Sequence, residues 1–167
     1  MHLPTTPYPR FHLAFPVTDL DEARRFYGAF LGCAEGRSSP EWVDFDFFGH
    51  QIVAHKVERS QMSPKGRPEG ESDPERVGAE GSPATDATSL VDGQDVPVRH
   101  FGIVTDIATW EARAERFKAA GVKFIIAPYV RFRGQPGEQA TMFFLDPFGN
   151  ALEFKAFADM DRLFAKQ

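Results

Sequence analysis

Histidine appears twice in one phrase of this chain: FHLAFPVTD begins at Phe11 and VRHFGIVTD at Val98, each an apolar run that closes on Thr-Asp. An imidazole can ligate a metal or move a proton, although a single strand histidine most often only satisfies hydrogen bonds. Two of them at matching places in a repeat point to a shared task for His12 and His100. A third group stands out by parity. In FLDPFGNALEFKAF, Glu153 shares a strand side with Ala151 and Lys155, opposite Leu152, Phe154 and Ala156, which suit packing against a helix. A carboxylate in so apolar a strand is costly to bury without a partner, and a metal ion is a strong one.

The loop PYVRFRGQPGEQ, from Pro128 to Gln139, offers a second kind of chemistry. Its Tyr129, Arg131, Arg133, Gln135 and Glu138 are substrate-contact candidates, because loops carried on a rigid sheet often bear such contacts. An arginine there could pair with a substrate carboxylate, and Tyr129 could donate to a metal-bound oxygen. No Gly-rich phosphate loop, serine nucleophile elbow or zinc-type cysteine cluster competes for the centre. The lone Cys33 reads as small core filler, and a chain with one cysteine forms no internal disulfide.

These groups must be positioned by a fold of modest size. The chain has 167 residues, 42% hydrophobic and 13% aromatic, enough for one domain or two small modules. A formal charge of −5 argues against nucleic acid and anionic membranes as partners. The opening MHLPTTPYPR lacks the pattern of a secretory leader, and no apolar run approaches the roughly 20 residues of a membrane span. A cytoplasmic location is therefore expected.

Element signals repeat with the histidines. RFHLAFPV reads as a strand, and Asp19 with Glu22 starts a helix that carries Ala23, Phe26, Tyr27, Phe30 and Leu31 on one face and stops at Gly32. WVDFDFFGHQIVAHKV alternates around a tight turn at Phe48-Gly49. In the second half RHFGIVTD is a strand, ATWEARAERFKAAG a helix with Trp110, Ala114 and Phe117 on one stripe, and VKFIIA a further strand. The run from Ala140 to Phe157 closes it as a hairpin turning at Asp146 to Asn150. Between the halves, residues 58–95 are dense in Gly, Pro, Ser and charge, which suggests a flexible connector. The expected organisation is a first βαβββ module at 8–57, the connector at 58–95, a second module at 96–158 and a tail at 159–167.

With its repeated βαβββ order, its first-strand histidines and its FLDPFGNALEF phrase, the chain resembles the vicinal oxygen chelate superfamily of glyoxalase I, extradiol dioxygenases, fosfomycin-resistance enzymes and bleomycin-resistance proteins. The resemblance implies an α+β fold in which two tandem βαβββ modules form a cup-shaped curved mixed sheet with helices packed outside and a divalent metal at its floor. It implies His12, His100 and Glu153 as ligands, a facial triad that leaves open positions on an iron(II)-type ion; nickel, zinc, manganese or cobalt are the other expected ions. Glyoxalase-like members place a second glutamate late in the first module, where HQIVAHKV has no carboxylate. His55, and after it Gln51, are candidates there for a fourth ligand or an acid–base group.

The leading expectation is a metal-dependent, dioxygenase-like oxidoreductase acting on a small molecule with vicinal oxygens. A glyoxalase-like lyase or isomerase, and a non-enzymatic drug binder of the bleomycin-resistance type, are the alternatives. The expected partners are a small-molecule substrate and a second copy of the chain in a homodimer.

Overall fold

The aspartate that closes each repeated phrase caps a helix. In the computed structural model, which describes residues 9–62, 88–91, 93–133 and 138–164, Asp19 accepts a hydrogen bond from the Glu22 amide at 2.8 Å and Asp106 one from the Thr109 amide at 2.8 Å. Each satisfies an amide that the first helical turn leaves without a partner. Strand β1 (His12–Val17) thus hands over to α1 (Leu20–Ala23), and β7 (His100–Asp106) to α2 (Ile107–Ala119).

The chain divides into two compact units, Met1–Lys65 and Gly66–Gln167. In the first, α1 runs on into a π-wound segment, Arg24–Phe30, where the Leu31 amide reaches back to the Phe26 carbonyl at 2.8 Å. The wider turn changes which side chains face inward. Ala23, Tyr27 and Leu31 are buried, while Phe26 and Phe30, expected on the same face, are only half-buried. Gly32 ends the segment at φ +83°, a conformation that glycine takes without steric cost.

Strands β2 (Ala34–Ser39), β3 (Trp42–Phe47) and β4 (His50–Lys56) complete the first sheet in the order β1-β4-β3-β2, with β1 and β4 parallel. Phe48 and Gly49, both at positive φ, form the expected tight turn. Tyr27 packs against Phe15 and Phe45 with ring centroids 5.0 and 5.6 Å away, which fixes the helix side of the sheet. Cys33 is buried, as a core filler should be.

The second unit repeats this topology. Strands β8 (Phe124–Arg131), β9 (Gln139–Leu145) and β10 (Ala151–Phe157) join β7 in the order β7-β10-β9-β8, with β7 and β10 parallel. Phe117 of α2 meets Phe144 and Phe154 at 5.3 and 5.7 Å, and the Trp110 indole donates to the Phe154 carbonyl at 2.8 Å. Asp146 organises the β9–β10 turn, its carboxylate accepting from the amides of Phe148 and Asn150 and from the Asn150 side chain.

Much of the expected connector, and residues 165–167 of the expected tail, lie outside the described residues. The described parts of the connector carry structure: a 3-10 turn at Arg59–Gln61, and a hairpin of β5 (Thr88–Val91) and β6 (Gln94–Pro97) that begins within it. This stretch has no aromatic residue, yet Val96 is fully buried against Ile126 and Phe143, with Val91 and Tyr129 beside them. Two valines are enough to anchor so short a ribbon. No helix among the described residues is long and apolar enough to cross a membrane.

Candidate functional site

Parity along β10 puts Glu153 on the sheet face away from α2, and β7 presents His100 on the same face. There the His100 Nε2 and a Glu153 carboxylate oxygen stand 3.3 Å apart. Glu153 is only 7% exposed, so its charge needs partners. Thr141 of β9 donates to one oxygen at 2.8 Å, and the Lys155 ammonium lies 3.1 Å from the other. On its far side His100 donates from Nδ1 to the Pro97 carbonyl at 2.8 Å, and its ring meets Phe143 edge-on at 4.9 Å.

The charges follow from these contacts. The hydrogen bond to Glu153 raises the His100 pKa above its ordinary 6.5; burial opposes this, and the Pro97 bond adds to it. For Glu153 burial is the largest single influence and pushes its pKa up. The hydrogen bonds from His100 and Thr141, with the Lys155 charge, outweigh it and hold the carboxyl below its ordinary 4.5.

The donor chemistry suits a divalent ion. With Nδ1 committed to a carbonyl, the nitrogen that His100 turns toward Glu153 is the one able to offer a lone pair. Two donors in neighbouring positions on an octahedral ion, each about 2.1 Å from it, stand about 3.0 Å apart, close to the spacing seen here. The Lys155 ammonium is a cation already held at this carboxylate. Unit 2 brings together two of the three expected ligands. Among the described residues there is no group of three or more His, Cys, Asp or Glu side chains placed to hold a metal.

His12 opens β1 on the face away from the first helix, and its Nδ1 lies 2.8 Å from the Gln51 side-chain oxygen. The Gln51 amide nitrogen donates in turn to Asp44 at 2.9 Å. These three residues line a cavity of about 350 Å³ in unit 1, together with Arg10, Asp46 and His50. Aligning the units on their histidines pairs Gln51 with Ala151, Val53 with Glu153 and His55 with Lys155, since His12 lies opposite Gln51 and His100 opposite Ala151. The first-unit counterpart of Glu153 is therefore the buried Val53. His55 is exposed, in register with Pro16 and Trp42.

Of the loop candidates, Tyr129 is in register with Thr141, the residue that binds Glu153, and packs on the cluster around Val96. Arg131 ends β8 half-buried, with its guanidinium 4.9 Å from the centre of the Phe132 ring. Arg133 is exposed and Glu138 half-buried. Gln135 lies outside the described residues. Sequence reasoning missed Thr141, Pro97 and Asp44. Strand parity could have flagged Thr141 and Asp44 as polar residues on the side of Glu153 and Gln51, whereas nothing local marks the Pro97 carbonyl.

The sequence profile of the glyoxalase/bleomycin resistance protein/dioxygenase superfamily matches residues 11–154. The chain belongs to that superfamily. A solved glyoxalase/bleomycin resistance protein/dioxygenase from Alicyclobacillus acidocaldarius is 30% identical, with a TM-score of 0.64 over 96% of this chain and 99% of the other. The fold is shared at lower identity by the fosfomycin resistance protein FosX from Listeria monocytogenes, 16% identical with a TM-score of 0.55 over 93% of this chain and 97% of the other. It is shared too by a lactoylglutathione lyase from Agrobacterium tumefaciens, 21% identical with a TM-score of 0.55 over 90% and 95%. No curated protein matches significantly. The superfamily holds enzymes with different reactions, so membership gives the βαβββ repeat and leaves the reaction to the site.

Proposed function

We propose that this superfamily member is a metal-dependent, dioxygenase-like oxidoreductase acting on a small molecule with vicinal oxygens. Its ion would be held by His100 and Glu153, with His12 as the third ligand and iron(II) as the favoured metal. The observation that carries the ordering of reactions is Val53. A side chain without a donor occupies the counterpart of Glu153, so the repeat offers no second carboxylate at that place. Held by two histidines and one carboxylate, such an ion would supply Lewis-acid and oxygen-activating chemistry toward a substrate with vicinal oxygens.

The chain's own groups have separable roles. Thr141 fixes the rotamer of Glu153, and Pro97 fixes the ring of His100. Lys155 balances the carboxylate before a metal arrives. Val96, Phe143 and Tyr129 give the neighbouring wall an apolar surface that limits water. Arg131 and Tyr129 are the groups proposed to meet an anionic or hydroxyl-bearing substrate.

Anaerobic reconstitution with iron(II), followed by oxygen-uptake measurements on a panel of catechols, tests the reading. Uptake that needs both iron and substrate is expected. Hemithioacetal isomerisation with nickel or zinc and no oxygen uptake would replace it with the glyoxalase-like reading. A protein that takes up no metal would be a binder of the bleomycin-resistance type.

A further inference from the structure

The geometry points to Asp44 as a positioning residue that sets, through the Gln51 side chain, which nitrogen of His12 offers its lone pair. Asp44 is 5% exposed on β3, and one of its oxygens accepts from the Gln51 amide nitrogen at 2.9 Å. A carboxylate only accepts, so the amide must turn its nitrogen to Asp44 and its oxygen to His12. That oxygen also only accepts. The His12 nitrogen 2.8 Å from it, Nδ1, must therefore carry the hydrogen, and Nε2 is left as the lone-pair nitrogen. His100 has its Nδ1 hydrogen fixed by a different route, through the Pro97 carbonyl.

Asp44 is an expensive way to hold an amide. Its second oxygen is buried with no hydrogen-bond partner among the described residues, and a Cβ on Gly36 would collide with that oxygen. The nearest cation among the described residues, Arg37, lies 3.5 Å from the oxygen that Gln51 already uses and is itself largely exposed. A buried carboxylate with one idle oxygen costs stability, and in this position what it secures is the direction of the amide. The inference rests on the proposal that His12 is a metal ligand.

The test uses the full chain, 15N-labelled and freed of metal by chelator, with long-range proton–nitrogen correlation of the imidazoles and His12 assigned from His12→Ala. A protonated Nδ1 and an unprotonated Nε2 are expected. Asp44→Leu should move the His12 signals toward the other tautomer and weaken iron(II) binding about tenfold or more. Asp44→Asn, whose carbonyl can still accept from Gln51, should keep the native pattern. If Asp44→Leu does not fold, the native spectrum and Gln51→Leu carry the test, the latter being expected to lose the Nδ1–H preference. A native His12 protonated at Nε2, or a folded Asp44→Leu with an unchanged His12 spectrum, overturns the proposal. The expected tautomers in a protein that binds no iron would uphold the role of Asp44 and overturn the metal reading instead.

Discussion

Replacing Thr141 by valine keeps the shape of the side chain and removes the hydroxyl that donates to Glu153 at 2.8 Å. Glu153 is 7% exposed, so water does not readily take over the lost bond. A hydrogen bond to a charged group contributes about 1.5–3 kcal/mol, and leaving the acceptor buried places this case toward the upper end, about 2–3 kcal/mol. The cost depends on pH. Because the folded-state pKa of Glu153 is depressed, the stability it contributes is present above the ordinary 4.5 and is lost as pH falls through the folded value. Once the carboxyl is protonated, the bond is between neutral groups and the cost falls to about 1 kcal/mol. Each unit carries one tryptophan, Trp42 in the first and Trp110 in the second, so denaturant unfolding followed by fluorescence in a Trp42→Phe background reports unit 2 alone. Metal-free Thr141→Val should lose about 2–3 kcal/mol at pH 7 and about 1 kcal/mol in acid. A loss of the same size at both values, or none at pH 7, would refute the reasoning.

Other consequences follow from the same contacts. In the metal-free protein His100, with its raised pKa, contributes stability that is full below 6.5 and is lost as pH rises through its folded value, while Glu153 contributes above 4.5. The Trp110 signal should therefore report greatest stability between those two values, and His100→Gln should flatten the alkaline limb. Asp146→Ala removes one acceptor from three donors in the β9–β10 turn, and should cost about 2–3 kcal/mol in the same unfolding experiment, with unit 1 unaffected.

The fold was legible because its signals are local. Asp19 and Asp106 cap helices, Phe48-Gly49 turns a hairpin, and the Trp110, Ala114 and Phe117 stripe is buried as its spacing implies. What escaped depends on pairing across the sheet. Parity placed Gln51, Val53 and His55 on one side of β4, but only the register with β1 shows that Val53, and neither polar neighbour, is the counterpart of Glu153. The π winding after Ala23 left no mark in the apolar spacing, since positions 23, 27 and 31 suit either helix. The hairpin at Thr88–Val91 and Gln94–Pro97 lies beside a stretch rich in Gly, Pro and Ser, whose composition overshadowed two anchoring valines. The repeated phrase and strand parity drew attention to His12, His100 and Glu153. Thr141, Pro97 and Asp44, which orient those groups directly or through Gln51, are defined by contacts far apart in the chain.

The central claim is that a divalent ion binds at His100 and Glu153 with His12, and equilibrium titration of the chelator-treated full chain with iron(II) under anaerobic conditions tests it most directly. Saturable uptake of a single ion per chain is expected, abolished by His100→Ala and by Glu153→Ala, weakened by His12→Ala, and retained in His55→Ala. Uptake by the His100 and Glu153 variants equal to that of the native protein would contradict it.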